Sequence, residues 1–213
     1  MPPSPRFWNW IARRYSRQPV ADEAAYRRKL EITQSYLRPD MRVLEFGCGT
    51  GTTALIHAPH VASIDAIDFS DRMIGIAREK AQVQGARNVN FEVARIEDWP
   101  ATDGNYDAVL GLSVLHLLED PCVALSKVHC LLKPGGIFVS STVCLADMQG
   151  IARRLLPVGH ALGLLPLVRP LSAEGLAADL RGAGFSIDHQ WRPAPDKAVF
   201  IVAIWTEDPD AQH

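Results

Sequence analysis

The run MRVLEFGCGTG, from Met41 to Gly51, decides how the rest of the chain is read. Met41 to Phe46 is short, apolar and partly β-branched, as a buried strand is, and three glycines at 47, 49 and 51 end it. A helical stretch, Thr50 to His57, follows at once. Strand, glycine turn and helix open an α/β unit, and the alternation continues outward from it. Strand Val61 to Asp68, helix Asp71 to Gln84, strand Asn88 to Ala94, strand Tyr106 to Gly111, helix Pro121 to Leu132 and strand Gly136 to Thr142 come in order. Strands alternating with helices specify a parallel sheet. Near the end, Phe185 to Trp191 and Lys197 to Trp205 read as strands joined by a linker too short for a helical crossover, so they pair antiparallel. The expected fold class is α/β, an open, doubly wound, mainly parallel sheet with an antiparallel C-terminal edge strand.

Two helical patterns, Phe7 to Tyr15 and Ala21 to Leu37, precede this core, and a long apolar insertion runs from Cys144 to Pro170 before a helix from Ser172 to Gly182. The expected organisation is a single domain over 1–213: a helical lid at 1–38, a ligand-binding core at 41–142, a helical insertion at 144–182 and a hairpin at 184–205. At 213 residues, 47% apolar and 22% charged, the chain has ordinary globular composition, which excludes disordered, collagen-like and coiled-coil classes. Its four cysteines show neither CxxC spacing nor a histidine at zinc-ligand spacing and read as reduced thiols, with no metal site expected. No 18-residue apolar run and no leader-like segment is seen, so a cytoplasmic protein is expected. Net charge is -2, which gives no reason to expect a nucleic-acid partner. The segment before Pro39 is locally basic, either a solvated helix face or a surface for an anionic substrate or lipid headgroup.

The glycines carry the chemistry. Without Cβ atoms the backbone turns sharply and lets a ligand approach closely, while the helix N-terminus behind them presents free N–H donors. A dinucleotide fingerprint needs a third glycine or alanine where Thr52 stands, and the lysine of a phosphate loop is absent, so nicotinamide and nucleoside-triphosphate chemistry are disfavoured. Asp68, 17 residues beyond Gly51, ends the second strand, where a carboxylate accepts from ribose hydroxyls. Alternation turns Asp65 to the opposite face, and Ser70 or Asp71 suits the following helix cap better than Asp68 does.

At these residues the chain resembles the class I S-adenosylmethionine-dependent methyltransferases, of the kind that includes small-molecule and ubiquinone or menaquinone methyltransferases. VLEFGCGTG at 43–51 looks like the first motif, IDFSDRMI at 67–74 the ribose-binding strand end, YDAVLGLSVLHLL at 106–118 the fourth strand and its loop, and LLKPGG at 131–136 the turn before the fifth strand. The resemblance implies S-adenosyl-L-methionine as cofactor, held by the Glu45, Gly47, Cys48, Gly49 and Gly51 loop, by Asp68 at the ribose and by Phe69 and Met73 against the adenine. Leu112 would lie beneath it. Where the family often has an acid facing the adenine amine, Arg95 stands here, either stacked on the base or solvated; the Ile96 N–H remains to serve the adenine, and Glu97 or Asp98 either replaces the acid or is a helix-entry charge.

Methyl transfer to a small, partly apolar acceptor follows from that resemblance, with the protein mainly aligning the nucleophile and excluding water. His116, in the loop after the fourth strand, is the candidate base, against a reading as a packed imidazole. His160 in the insertion and His189 in a late strand are weaker candidates, and Trp8, Trp10 and Tyr15 either close over the cofactor, a lid role the resemblance supports for Tyr15, or form the buried face of a helix. His57 and His60 flank Pro59 at a helix end, where a cation complements the dipole. Two other readings stay open: methylation of a membrane lipid or quinone at the bilayer surface, and a non-catalytic cofactor-binding module. Oligomeric state is not legible.

Overall fold

A computed structural model describes residues 5–100, 104–147 and 168–206. The chain divides into two compact units, residues 4–99 and the part from residue 100 onward. The strands form a seven-stranded sheet in the order β3-β2-β1-β4-β5-β7-β6.

The first unit holds α1 (Arg6–Tyr15), α2 (Glu23–Tyr36), β1 (Arg42–Phe46), α3 (Thr52–His57), β2 (Ser63–Asp68), α4 (Asp71–Gln84) and β3 (Val89–Val93). β1 pairs with β2 and β2 with β3, both parallel. Val43, Leu44, Phe46, Ile64, Ala66 and Ile67 are all at most 1% exposed, as strands covered on both faces require. The edge strand β3 buries Phe91, and the Arg78 guanidinium donates twice to the Phe91 carbonyl, at 3.0 and 2.6 Å, blocking an acceptor that an edge would otherwise offer to another chain. Helix starts follow their caps. Asp22 accepts from the Ala25 N–H and Ser70 from the Met73 N–H, so α2 begins two residues later than its sequence pattern suggests and Ser70 takes the cap position ahead of α4.

The second unit holds β4 (Tyr106–Leu112), α5 (Pro121–Leu131), β5 (Leu132–Thr142), α6 (Ala173–Gly182), β6 (Phe185–Trp191) and β7 (Val199–Trp205). β5 starts four residues earlier than expected because Leu132 pairs with Tyr106, and after a register irregularity over Lys133 to Gly136 the regular ladder resumes at Ala108 with Ile137. The last two strands pair antiparallel, as their short linker requires. β7 also pairs antiparallel with β5, so the reversed strand lies one place in and β6 forms the edge. Val199 to Ala203 are all 0% exposed, whereas β6 alternates between more and less covered positions. Most of the expected Cys144 to Pro170 insertion, with His160, lies outside the described residues. Asp147 at its entry is held by Arg192 at 2.9 Å and by the Ala173 N–H at 3.1 Å.

Gly51 makes the tightest packing in the first unit. Its φ is +71°, and a Cβ there would sit 2.6 Å from two ring carbons of Phe91 and 2.8 Å from the Ala77 methyl. Gly85 shares the left-handed φ, at +67°, with open space around it. Gly51→Ala is therefore expected to destabilise by about 2–5 kcal/mol, strain and overpacking together. Gly85→Ala is expected to cost only about 1 kcal/mol. Urea unfolding of the two variants checks this, and equal losses would refute the packing account.

Candidate cofactor site

The end of β1, the glycine loop and the end of β2 meet in the first unit. Gly47, Gly49 and Gly51 all have positive φ, at 64°, 54° and 71°, which lets three turns follow one another in five residues. The Cys48 N–H donates to the Ile67 carbonyl at 3.0 Å, extending the β1–β2 pairing into the loop. Asp68 then fixes it: one carboxylate oxygen accepts from the Gly49 N–H and the other from the Ser70 N–H, each at 2.9 Å. A carboxylate has about four acceptor positions, so further donors can still be accepted. Asp65 lies elsewhere, paired with Arg42 at 3.2 Å, as strand alternation expects.

Acids accumulate around this point. Glu45 is 3% exposed, its Oε2 has no hydrogen-bond partner, and burial, with Asp68's charge adding, pushes its pKa up to about 8. Burial also raises Asp68, against the two N–H bonds that pull it down. The Cys48 thiol is raised by burial and by both carboxylates, which makes it inert as a nucleophile. Tyr15 keeps 47% of its surface exposed, yet burial of its hydroxyl end and the charge of Asp68 raise its phenol. Its Cε1 would be 3.9 Å from a Cβ at Gly49, so the ring stands over the loop. Among the described residues neither Glu45 nor Asp68 forms a salt bridge. Such a site favours a ligand carrying positive charge and hydroxyl donors.

The other expected residues fall into three groups. Phe69 is half-buried beside Asp68, whereas Met73 and Ile96 are packed into the core at 2% and 3% exposure. Arg95 pairs with Glu97 at 3.5 Å, which brings an acid back to the loop where the arginine stands. In the second unit, Leu112 is the half-buried last residue of β4, and Ser113 after it is the one described non-glycine residue with positive φ, 60°. His116 is 8% exposed on a 3₁₀ turn, with Nδ1 unpartnered, and burial lowers its pKa to about 4. The His116 carbonyl accepts from the Arg169 N–H at 2.7 Å.

Three supports were missed by sequence reasoning. Lys80 on α4 donates to Thr50 at 2.9 Å and to Thr52 at 2.8 Å, bracing the glycine loop; it stands on the α4 face that also carries the core residues Met73 and Ala77. Tyr26 meets Thr53 at 3.1 Å, and Asn9 donates to Asp71 at 2.6 Å while accepting from the Ser70 hydroxyl. Partners this distant in sequence leave no local signal. His57 corrects an expectation: it is fully buried with both ring nitrogens unpartnered and a pKa lowered to about 4, so it is neutral and supplies no cation to the helix end.

A sheet of this order, with a glycine loop after its first strand and an acid ending its second, is the class I methyltransferase fold. The chain belongs to the methyltransferase-domain family, whose model matches residues 37–161, and it is an S-adenosylmethionine-dependent methyltransferase domain. It is 33% identical over 171 residues to the ubiquinone biosynthesis O-methyltransferase of Xanthomonas axonopodis pv. citri, covering 75% of this chain and 69% of that one. It is 32% identical over 110 residues to the uncharacterized methyltransferase YcgJ of Bacillus subtilis, covering 52% of this chain and 44% of that one. The crystal structure of YcgJ superposes with a TM-score of 0.69 at 19% identity, covering 85% of this chain and all, 100%, of that one. The [4+2]-cyclase SpnF superposes with a TM-score of 0.71 at 22% identity, covering 85% and 81%. The chain spans between 5% and 44% of the length of the first curated relatives it matches.

Glu45 yields a pH test with a defined sign. Its folded pKa of about 8 lies above the ordinary carboxylate value of about 4.3, so burial of the neutral form contributes stability present at low pH and lost as pH rises toward 8. A cation bound beside it favours the ionised form. Calorimetry with S-adenosylhomocysteine is expected to show proton release near neutral pH and affinity rising until the pH passes about 8. Glu45→Gln is expected to flatten both slopes.

Proposed function

We propose that the chain transfers the methyl group of S-adenosylmethionine to a small, partly apolar acceptor. One observation carries the cofactor half of this reading: the buried pair of carboxyl groups at the glycine loop, Asp68 bonded to the Gly49 N–H and Glu45 with an unpartnered oxygen. These residues fit that cofactor. Asp68 keeps acceptor positions for the two ribose hydroxyls, and Glu45 answers the ammonium end. The bare backbone of Gly47, Cys48 and Gly49 admits the aminoacyl chain, while Gly51 closes the turn against Phe91. Phe69 offers an apolar face to the adenine, and Met73 and Ile96 support that wall from the core. In this reading the Ile96 N–H would donate to an adenine ring nitrogen and the Glu97 carboxylate, paired with Arg95, would accept from the adenine amine. When bound, S-adenosylmethionine supplies an already electrophilic methyl group, so the chain's task is to align a nucleophile and keep water out.

Leu112 and His116 at the end of β4 are the acceptor-side residues of this reading, with Tyr15 closing over the loop. His116 is neutral at physiological pH because its imidazole is desolvated, so its ring nitrogen is free to take a proton from an acceptor that carries one. The acceptor is small-molecule in character, in keeping with the Xanthomonas relative's place in ubiquinone biosynthesis.

Titration calorimetry with S-adenosylhomocysteine, beside NADH as a control, tests the cofactor reading; binding of NADH alone would overturn it. Asp68→Ala is expected to weaken S-adenosylhomocysteine by on the order of 1–3 kcal/mol, and unchanged affinity would place the ribose elsewhere. With an acceptor found by radiolabelled-methyl screening of amphipathic phenols and quinols, His116→Gln is expected to lower turnover while cofactor affinity stays constant. The pH profile of the unsubstituted enzyme should then fall off only near pH 4. Equal turnover in the variant would remove His116 from the reaction.

A further inference from the structure

The outer face of α1 and the residues just beyond it gather positive charge. Trp10, Arg13, Arg14 and Arg17 follow one another at helical spacing and share one side, while Ala12 on the other side is 0% exposed. Trp10 is 76% exposed, the second most exposed large apolar side chain among the described residues and the most exposed aromatic one. The acids that follow this segment in sequence are engaged on α2: Glu23 pairs with Arg27, Glu31 with Arg28, and Asp22 caps the helix. The guanidinium groups of Arg13, Arg14 and Arg17 make no ion pair among the described residues.

A cleft of about 780 Å³ adjoins this face, between α1 and α4. Arg13, Ser16 and Arg17 line one side and Arg72 the other, near the carboxylates of Asp71 and Glu79. Asp71 is occupied by the Asn9 amide, and Asn9 also meets the Ser70 hydroxyl, so the two walls of the cleft are tied together. Three guanidinium groups against two carboxylates, one of them already bonded, leave the cleft net positive and suited to phosphate oxygens, which arginine grips through paired donors.

We propose that this face of α1 docks on a bilayer bearing anionic headgroups, with Trp10 entering the headgroup layer and the Arg13, Arg17 and Arg72 cleft taking a lipid phosphate. Charge complementarity selects the partner, and shape selects a bilayer over a nucleic-acid strand. A convex helix with a single exposed tryptophan beside arginines presents one interfacial anchor to a flat surface, whereas single-stranded nucleic acid is held in a groove with successive stacking platforms. The surface is separate from the glycine loop, so docking stands or falls independently of the methyl-transfer reading.

Sedimentation of the full chain with vesicles tests it. Binding is expected to phosphatidylcholine vesicles containing phosphatidylglycerol, weakening as salt rises, and not to phosphatidylcholine alone. Each arginine near an anionic surface contributes about a five-fold factor, so the combined Arg13→Gln, Arg14→Gln, Arg17→Gln variant should lose on the order of 100-fold in partitioning. Trp10→Ala should weaken binding as well. S-adenosylhomocysteine calorimetry and thermal melting confirm that the variants fold, since all four side chains are exposed. Failure to bind the anionic vesicles, equal binding to neutral ones, unchanged binding by the triple variant, or displacement from vesicles by poly(U) RNA would each overturn the proposal.

Discussion

Asp68 holds three pieces of backbone in one place, two of them through its carboxylate. Its oxygens take the Gly49 N–H of the glycine loop and the Ser70 N–H at the start of α4, while its own carbonyl accepts from Ala94 at the end of β3, at 3.1 Å. Without it, a loop of three left-handed glycines would keep much of the conformational freedom those residues confer, its shape selected only by the Cys48 N–H bond to Ile67 and by the threonine braces. The selection comes at a cost, because the carboxylate is desolvated and the two N–H bonds only partly offset that burial. Lys80 and Tyr26 brace the same loop through Thr50, Thr52 and Thr53, so its shape is set from both sides before any ligand arrives.

That arrangement leaves an electrostatic demand unmet. Asp68, Glu45 and the raised thiol and phenol groups of Cys48 and Tyr15 are gathered with no ion-paired cation among the described residues, so Glu45 meets the demand by keeping its proton. A phosphate-bearing dinucleotide would add like charge here, whereas a ligand with an ammonium and a sulfonium relieves it. Glycine spacing and site charge therefore disfavour nicotinamide chemistry on independent grounds. One is steric and read from Thr52; the other is electrostatic and needs the fold to bring Glu45 beside Asp68.

Much of the first unit was legible because its signals are local. The apolar run before Gly47, the acid at the end of β2 and the Ser70 cap each act within a few residues, and each appears where its pattern points. The antiparallel pairing of the last two strands was legible too, from their short linker, but not which of them forms the edge: β7 is apolar without interruption from Val199 to Ala203 and lies inside, while β6 alternates and is the edge. What could not be read depends on distance in the chain. Lys80 reaches 30 residues back to Thr50, and Asn9 meets Ser70 across 61, so neither leaves a spacing to recognise. His57 misled because a histidine at a helix end reads as a cation until burial makes it neutral.

The likeness of the fold to the cyclase SpnF, at a TM-score of 0.71, separates architecture from reaction. A sheet order and a glycine loop set where a nucleoside-like ligand can lie, and they do not choose the bond that forms. Methyl transfer asks little acid–base chemistry of a protein, because an activated methyl group needs alignment and a dry surrounding more than it needs acids and bases. Under the proposed reading, the desolvated imidazole of His116 in the turn after β4 would meet that modest demand. Under the same reading acceptor choice would rest on the shape of an apolar wall, and apolar residues of similar volume exchange at small cost. The glycine loop and the acid after β2 are written in residue types that backbone geometry and charge make hard to exchange, whereas an apolar acceptor wall would be written in volumes, which a sequence records far less distinctly.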